Sequence, residues 1–186
     1  EQREANYLHN YALRELPAFL DAIHENRPLV LVGHSDGGTI ALLFASAHPD
    51  RVRALITMAA HVINEPETVV GIEPAVNAYQ VGKLDGLKKY HGDKTEALFY
   101  AWANIWRSDT FENWDITSEI SNSSAKGIFI QGANDQYGTE KQLDLISQNY
   151  SGAHQTKLIP NCGHHPHLEQ PEVVLEALEE FIDLLI

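Results

Sequence analysis

The chain has 186 residues, enough for one domain and too few for two full ones. Apolar residues make up 44% and charged residues 21%, a globular rather than a disordered balance. The net charge of −13 argues against the basic face that a nucleic-acid binder needs and disfavours attachment to anionic membrane.

No apolar run approaches the roughly 18 residues of a membrane span. A lone cysteine, Cys162, excludes an intrachain disulfide and a multi-cysteine zinc site. A reducing, cytoplasmic compartment is the expectation. The chain opens at Glu1, already inside a helical pattern, so a processed or truncated product is expected.

Leu8, Ala12, Leu16, Phe19, Leu20 and Ile23 recur at helical spacing, interrupted by Pro17. The pattern predicts a short helix, a bend, and a second helix from Pro17 to about His24. Leu29 to Val32 is apolar on both faces, as a buried parallel strand is. Gly33 to Gly38 forms a tight turn, and Thr39 to Ala47 a buried helix stopped at His48-Pro49. Val52 to Met58 is a second buried strand.

About His61 to Ser124 carries no strand signal. Ala75 to Val81 and Glu96 to Trp106 look helical within it and bear an aromatic face. Further strands are predicted at Gly127 to Gln131 and Gln155 to Ile159, and helices at Lys141 to Asn149 and Pro171 to Leu185. Strands alternating with helices define an α/β class with a parallel sheet. Ligands gather at the carboxyl ends of such strands.

Three features fall at those ends. Gly33-His34-Ser35-Asp36-Gly37 is a G-x-S-x-G sequence between a strand and a helix. That setting holds a serine on a sharp turn with a helix N-terminus behind it, which favours a developing oxyanion. Asp135 follows the third strand, where a carboxylate could orient a histidine. Asn161-Cys162-Gly163-His164-His165-Pro166-His167 follows the fourth strand. Ser35, Asp135, His164 is the Ser…Asp…His chain order of α/β-hydrolases. A metal reading of the three histidines is the alternative, but no carboxylate–histidine spacing completes a site. Cys162 reads as a small buried filler.

On these motifs the chain resembles an α/β-hydrolase-fold serine hydrolase of the esterase and lipase-like group. Ser35 matches the nucleophile, Asp135 the acid and His164 the base. The run Gly163 to Glu172 is similar to the family's last loop and helix start. Ser35 argues against the dehalogenases and epoxide hydrolases of this fold, which use Asp there. The resemblance covers the chain as a single domain, residues 1–186, with a helical cap insertion at 61–124.

It reaches only the strand 5–8 portion of the family's sheet plus that cap. Strand 29–32 would then be an apolar edge. A homodimer paired along that edge, or a missing N-terminal half, would cover it. The resemblance also implies that the backbone N–H of Asp36 is one oxyanion-hole donor, the second lying on an absent loop.

The implied activity is hydrolysis of a small, partly apolar ester through an acyl-enzyme on Ser35, with no cofactor and no metal. His34, Trp102, Trp106 and Tyr137 are the expected substrate contacts. Trp102, Trp106, Phe111 and Trp114 could together line a pocket mouth, although packing the cap onto the body is the plainer use for all four. A second reading from another class is a ligand-binding or oligomeric fragment with little catalysis, since fold does not imply function.

Overall fold

A computed structural model describes residues 2–185. Two helices open the chain, α1 (Tyr7–Asn10) and α2 (Leu16–Ala22), joined by a π-helical turn at Tyr11–Glu15. The expected bend at Pro17 is therefore absent. Proline has no N–H to give the preceding turn, and the wider π turn just before it absorbs the lost hydrogen bond without breaking the helix.

Strand β1 (Leu29–His34) leads through a one-residue turn into α3 (Asp36–Ala47), and β2 (Val52–Met58) follows. The crossover to the third strand is helical, with α4 (Pro66–Gln80), α5 (Lys88–His91) and α6 (Thr95–Trp106). Then come β3 (Lys126–Gly132), α7 (Glu140–Asn149), β4 (His154–Ile159), α8 (Pro166–Glu169) and α9 (Pro171–Asp183). All four strands are parallel and lie in the order β1-β2-β3-β4. Among the described residues no helix is long and apolar enough to cross a membrane.

Alternate residues of the central strands bury against opposite layers. Ala54, Ile56, Met58, Ile128, Ile130 and Ile159 meet Val174, Ala177 and Phe181 of α9. Leu55 and Phe129 face the other way, into the larger core with α3 and the helical crossover. Both faces of β2 and β3 are thus covered, which explains their unbroken apolar sequence. The crossover has its own aromatic centre, where Phe111 stacks on Trp114 at 4.9 Å and meets Trp106 edge-on at 4.8 Å. Its two ends are held side by side by an antiparallel bridge between Ile63 and Asp115.

Helix α4 begins nine residues before the predicted Ala75. Gly71 and Pro74 inside it mimic a loop in sequence. The carbonyl deprived of its donor by Pro74 belongs to Val70, which is 70% exposed, so water can satisfy it. Gly71 serves a different end. A Cβ there would lie 2.0 Å from the carbonyl oxygen of Gln136, so only glycine lets α4 approach the loop after β3.

β1 pairs only with β2 and is an edge of the sheet. Val30 and Val32 are 47% and 59% exposed on the face that α9 covers farther along. Such an edge templates pairing with other chains. Replacing both valines by lysine should change the stability by no more than about 0.5 kcal/mol, the range of surface substitutions, as read by thermal melts. Loss of several kcal/mol in that variant would show that the strand is covered in solution.

Candidate active site

Ser35 occupies the single residue between β1 and α3, with φ 54° and ψ −127°. A non-glycine residue holds such angles only where its surroundings enforce them. Here the Ser35 N–H donates to Met58 O at 2.9 Å, and the Ser35 carbonyl accepts from Gly38 and Thr39. A Cβ on Gly33 would sit 2.3 Å from Gly37 O, so the first glycine of the motif closes the turn. The turn leaves Ser35 Oγ at the N-terminus of α3, whose leading N–H groups have no intrahelical acceptors.

His164 Nε2 lies 3.0 Å from Ser35 Oγ. Its Nδ1 lies 2.8 Å and 3.0 Å from the two carboxylate oxygens of Asp135. The histidine is 6% exposed and the Asp135 side chain fully buried. Burial pushes the Asp135 carboxyl up, but the hydrogen bond and charge of His164 outweigh it and hold the group below its ordinary value. Asp135 is further fixed by Gln131 Nε2, which donates at 2.8 Å, and by the Tyr137 N–H at 2.8 Å. The structure thus brings Ser35, Asp135 and His164 into one hydrogen-bonded chain, in which a buried carboxylate can hold an imidazole ready to take a proton from a hydroxyl.

A cavity of about 20 Å³ adjoins Ser35, room for about one water. Asp36, Trp102, Trp106, Tyr137 and His164 line it, together with His61, Thr68 and Ile72. Phe111 and Trp114 do not reach it and serve as packing. His34 also lies outside the lining. Its ring packs 4.9 Å from that of His164, and its Nε2 is 2.6 Å from the His164 carbonyl oxygen. It supports the base loop rather than contacting the cavity, because β1 turns it behind the serine. Among the described residues no three ligand-type side chains stand where they could hold a metal ion, and the cluster His164, His165, His167 forms no such group.

The Asp36 side chain accepts from the Tyr7 hydroxyl at 2.7 Å and pairs with Arg3 at 3.4 Å. Trp106 Nε1 donates to the same Tyr7 oxygen at 2.9 Å. Tyr7 of α1, with Arg3 ahead of it, therefore ties the start of α3 to the aromatic wall of the cavity. No motif in the sequence marks His61, Thr68, Ile72 or Gln131 as part of the site. His61 alone carried a usable signal, its place just beyond a buried strand's carboxyl end. Thr68 and Ile72 were hidden with the first half of α4.

A parallel α/β sheet with a serine on a strained strand-to-helix turn defines the α/β-hydrolase fold. The chain belongs to the alpha/beta hydrolase family, whose sequence profile matches residues 4–177. An alpha/beta hydrolase domain-containing protein of Arabidopsis thaliana, VTE7, is 24% identical over 182 residues, covering 83% of this chain and 53% of its own. The chain thus spans about half the length of that curated relative. Among solved structures, a bacterial membrane phospholipase A superposes with a TM-score of 0.75 at 21% identity, over 100% of this chain and 64% of that one. The esterase RhEst1 of Rhodococcus sp. ECU1013 gives 0.69 at 18% identity, over 100% and 76%.

Two predictions follow from the geometry of this site. Gly71→Ala should force α4 away from the loop that carries Asp135, lowering the melting temperature and displacing the acid from His164. A histidine NMR resonance of His164 unchanged by the substitution would contradict this. Burial, with the charge of His164 second, pushes His61 down to about 3, and burial pushes His34 down to about 4. The unfolded chain therefore binds more protons than the folded one below the ordinary histidine value near 6.5. Stability should be complete above that value and fall as pH drops toward 4, which thermal melts across a pH series would read.

Proposed function

We propose that the chain hydrolyses a small, partly apolar carboxylic ester through an acyl-enzyme on Ser35. The observation that carries this reading is the continuous hydrogen-bonded path from Ser35 Oγ through His164 to buried Asp135, starting at a strained turn. As Oγ bonds to the ester carbonyl carbon, its proton passes to His164 Nε2. The developing oxyanion meets the N-terminus of α3, where the Asp36 N–H is a donor. Collapse of this adduct breaks the C–O bond to the alcohol, which leaves with the proton from His164.

A water molecule then repeats the sequence. It gives a proton to His164, attacks the acyl carbon, and the acid departs as the proton returns to Ser35 Oγ. Asp135 keeps the imidazole in one tautomer and stabilises its cationic form. The apolar character of the substrate is inferred from Ile72, Trp102 and Trp106 on the cavity wall. That an esterase and a phospholipase share the fold agrees with an ester substrate.

The narrow cavity favours a second reading, a binding protein with little turnover. The two readings separate on one experiment. Ser35→Ala and His164→Ala should each abolish hydrolysis of 4-nitrophenyl butyrate, and Asp135→Asn should lower kcat by about 10³–10⁴-fold. Intact mass after treatment with a fluorophosphonate should show one adduct on the native chain and none on Ser35→Ala. Absence of an adduct and of turnover would leave the binding reading.

A further inference from the structure

His61 is a polar side chain of the cavity wall that the proton path of the hydrolysis does not use and whose ring nitrogens have no hydrogen-bond partner among the described residues. It follows β2 and is 3% exposed. Its backbone is tied down, since Thr39 Oγ1 donates to the His61 carbonyl at 2.7 Å. Its ring packs 5.1 Å from Trp106 and 6.0 Å from His164. Yet Nδ1 is buried without any hydrogen-bond partner. Buried polar atoms are nearly always paired, and each exception needs a physical reason. Here the side chain borders the space next to Ser35 Oγ, where the acyl part of a substrate would sit.

We propose that His61 determines acyl specificity by hydrogen-bonding a neutral polar group on the acyl chain, such as a hydroxyl two or three atoms from the ester carbonyl. The inference rests on the hydrolase reading of Ser35. The ring's distance from His164 fits that span. The choice of a neutral partner follows from burial. An imidazole among Trp106, Ile72 and Thr68 stays uncharged at neutral pH, so it offers one donor and one acceptor and no charge to hold a carboxylate. The Nδ1 edge of the ring lies against Gly138, so a hydroxyl in the cavity would pair with Nε2, as donor or acceptor according to the tautomer. A purely aliphatic acyl chain offers the ring no hydrogen-bond partner. Sites built to hydrogen-bond a substrate group reject the analogue that lacks it.

The test compares 4-nitrophenyl 3-hydroxypropionate with the near-isosteric 4-nitrophenyl butyrate. Each kcat/KM is divided by that ester's hydroxide-catalysed rate, which removes intrinsic reactivity. The native protein should prefer the hydroxy ester by about tenfold. The preference should fall toward one in His61→Phe, with His61→Leu as a second apolar variant and near-UV circular dichroism reporting the fold. His61→Gln, which keeps a donor and an acceptor, should retain more of the preference than either.

A normalised ratio near one in the native protein overturns the role of His61 without touching the hydrolase reading. So does a ratio unchanged in a folded apolar variant, or a preference for the anionic 4-nitrophenyl hydrogen succinate. Turnover of neither ester, or turnover that survives Ser35→Ala, overturns the hydrolase reading and this inference with it.

Discussion

The contact between Ser35 and His164 joins residues that leave opposite edges of the sheet, and everything else in the structure serves to close that distance. Ser35 leaves β1 and His164 follows β4, with two strands between them. The parallel ladder fixes the separation, and the loop after β4 must then travel back across the strand ends. It does so through Asn161, at φ 54°, and is held on the way by Ala133 N–H on the Ile159 carbonyl and Asn134 N–H on the Cys162 carbonyl, at 2.9 Å and 2.8 Å. Asp135, one residue farther on, is met by the loop as it passes. A packed α/β core is therefore the condition for the site rather than its background.

Beneath the acid lies a buried polar network that links it to the helical crossover. Glu65, 3% exposed, accepts from Thr139 N–H at 3.0 Å, from Thr139 Oγ1 at 2.7 Å and from Gln142 Nε2 at 2.7 Å. Gln142 Oε1 in turn accepts from Val62 N–H at 2.8 Å. Thr68 Oγ1 donates to the Tyr137 carbonyl at 2.5 Å. The carboxylate has replaced its water by three donors, the arrangement that makes a buried charge tolerable. These bonds run from the start of α4 to the loop at 133–139, so the helix is joined directly to the loop that carries the acid. The close approach at Gly71 belongs to the same clamp.

Much of this was readable in the sequence, and the misses have a common cause. Apolar runs and glycine-flanked Ser35 mark β1 and its turn because backbone sterics dictate them locally. The order Ser35, Asp135, His164 was legible since each stands directly after a strand. What escaped depended on partners distant in sequence. Gly71 and Pro74 read as loop residues until the carbonyl of Gln136 and the exposure of Val70 are known. Gln131 looks like one more strand residue until Asp135 folds back over it. His34 sits beside the serine in sequence, yet the pleat of β1 sends its ring to the base loop. Local rules describe the elements, whereas long-range contacts decide which side chains meet.

The size of the cavity sets a further constraint. At about 20 Å³ it admits one water, less room than the acyl group of the proposed substrate would take. The floor is built from Ser35 at the end of β1, His61 just past β2, and His164 on the hydrogen-bonded loop after β4. Thr68 and Ile72 ride on α4, which is clamped to the acid loop. Displacing them would pull Asp135 from His164 and disarm the base. Trp106 is held through Tyr7 to Asp36. Trp102 is only half-buried, and edge-on contacts to Phe99 at 5.7 Å and Tyr137 at 5.9 Å hold it without the hydrogen-bond clamp that fixes α4. Among these walls the indole of Trp102 is the side chain held by ring packing alone, with no hydrogen bond tying it to the path from Ser35 to Asp135.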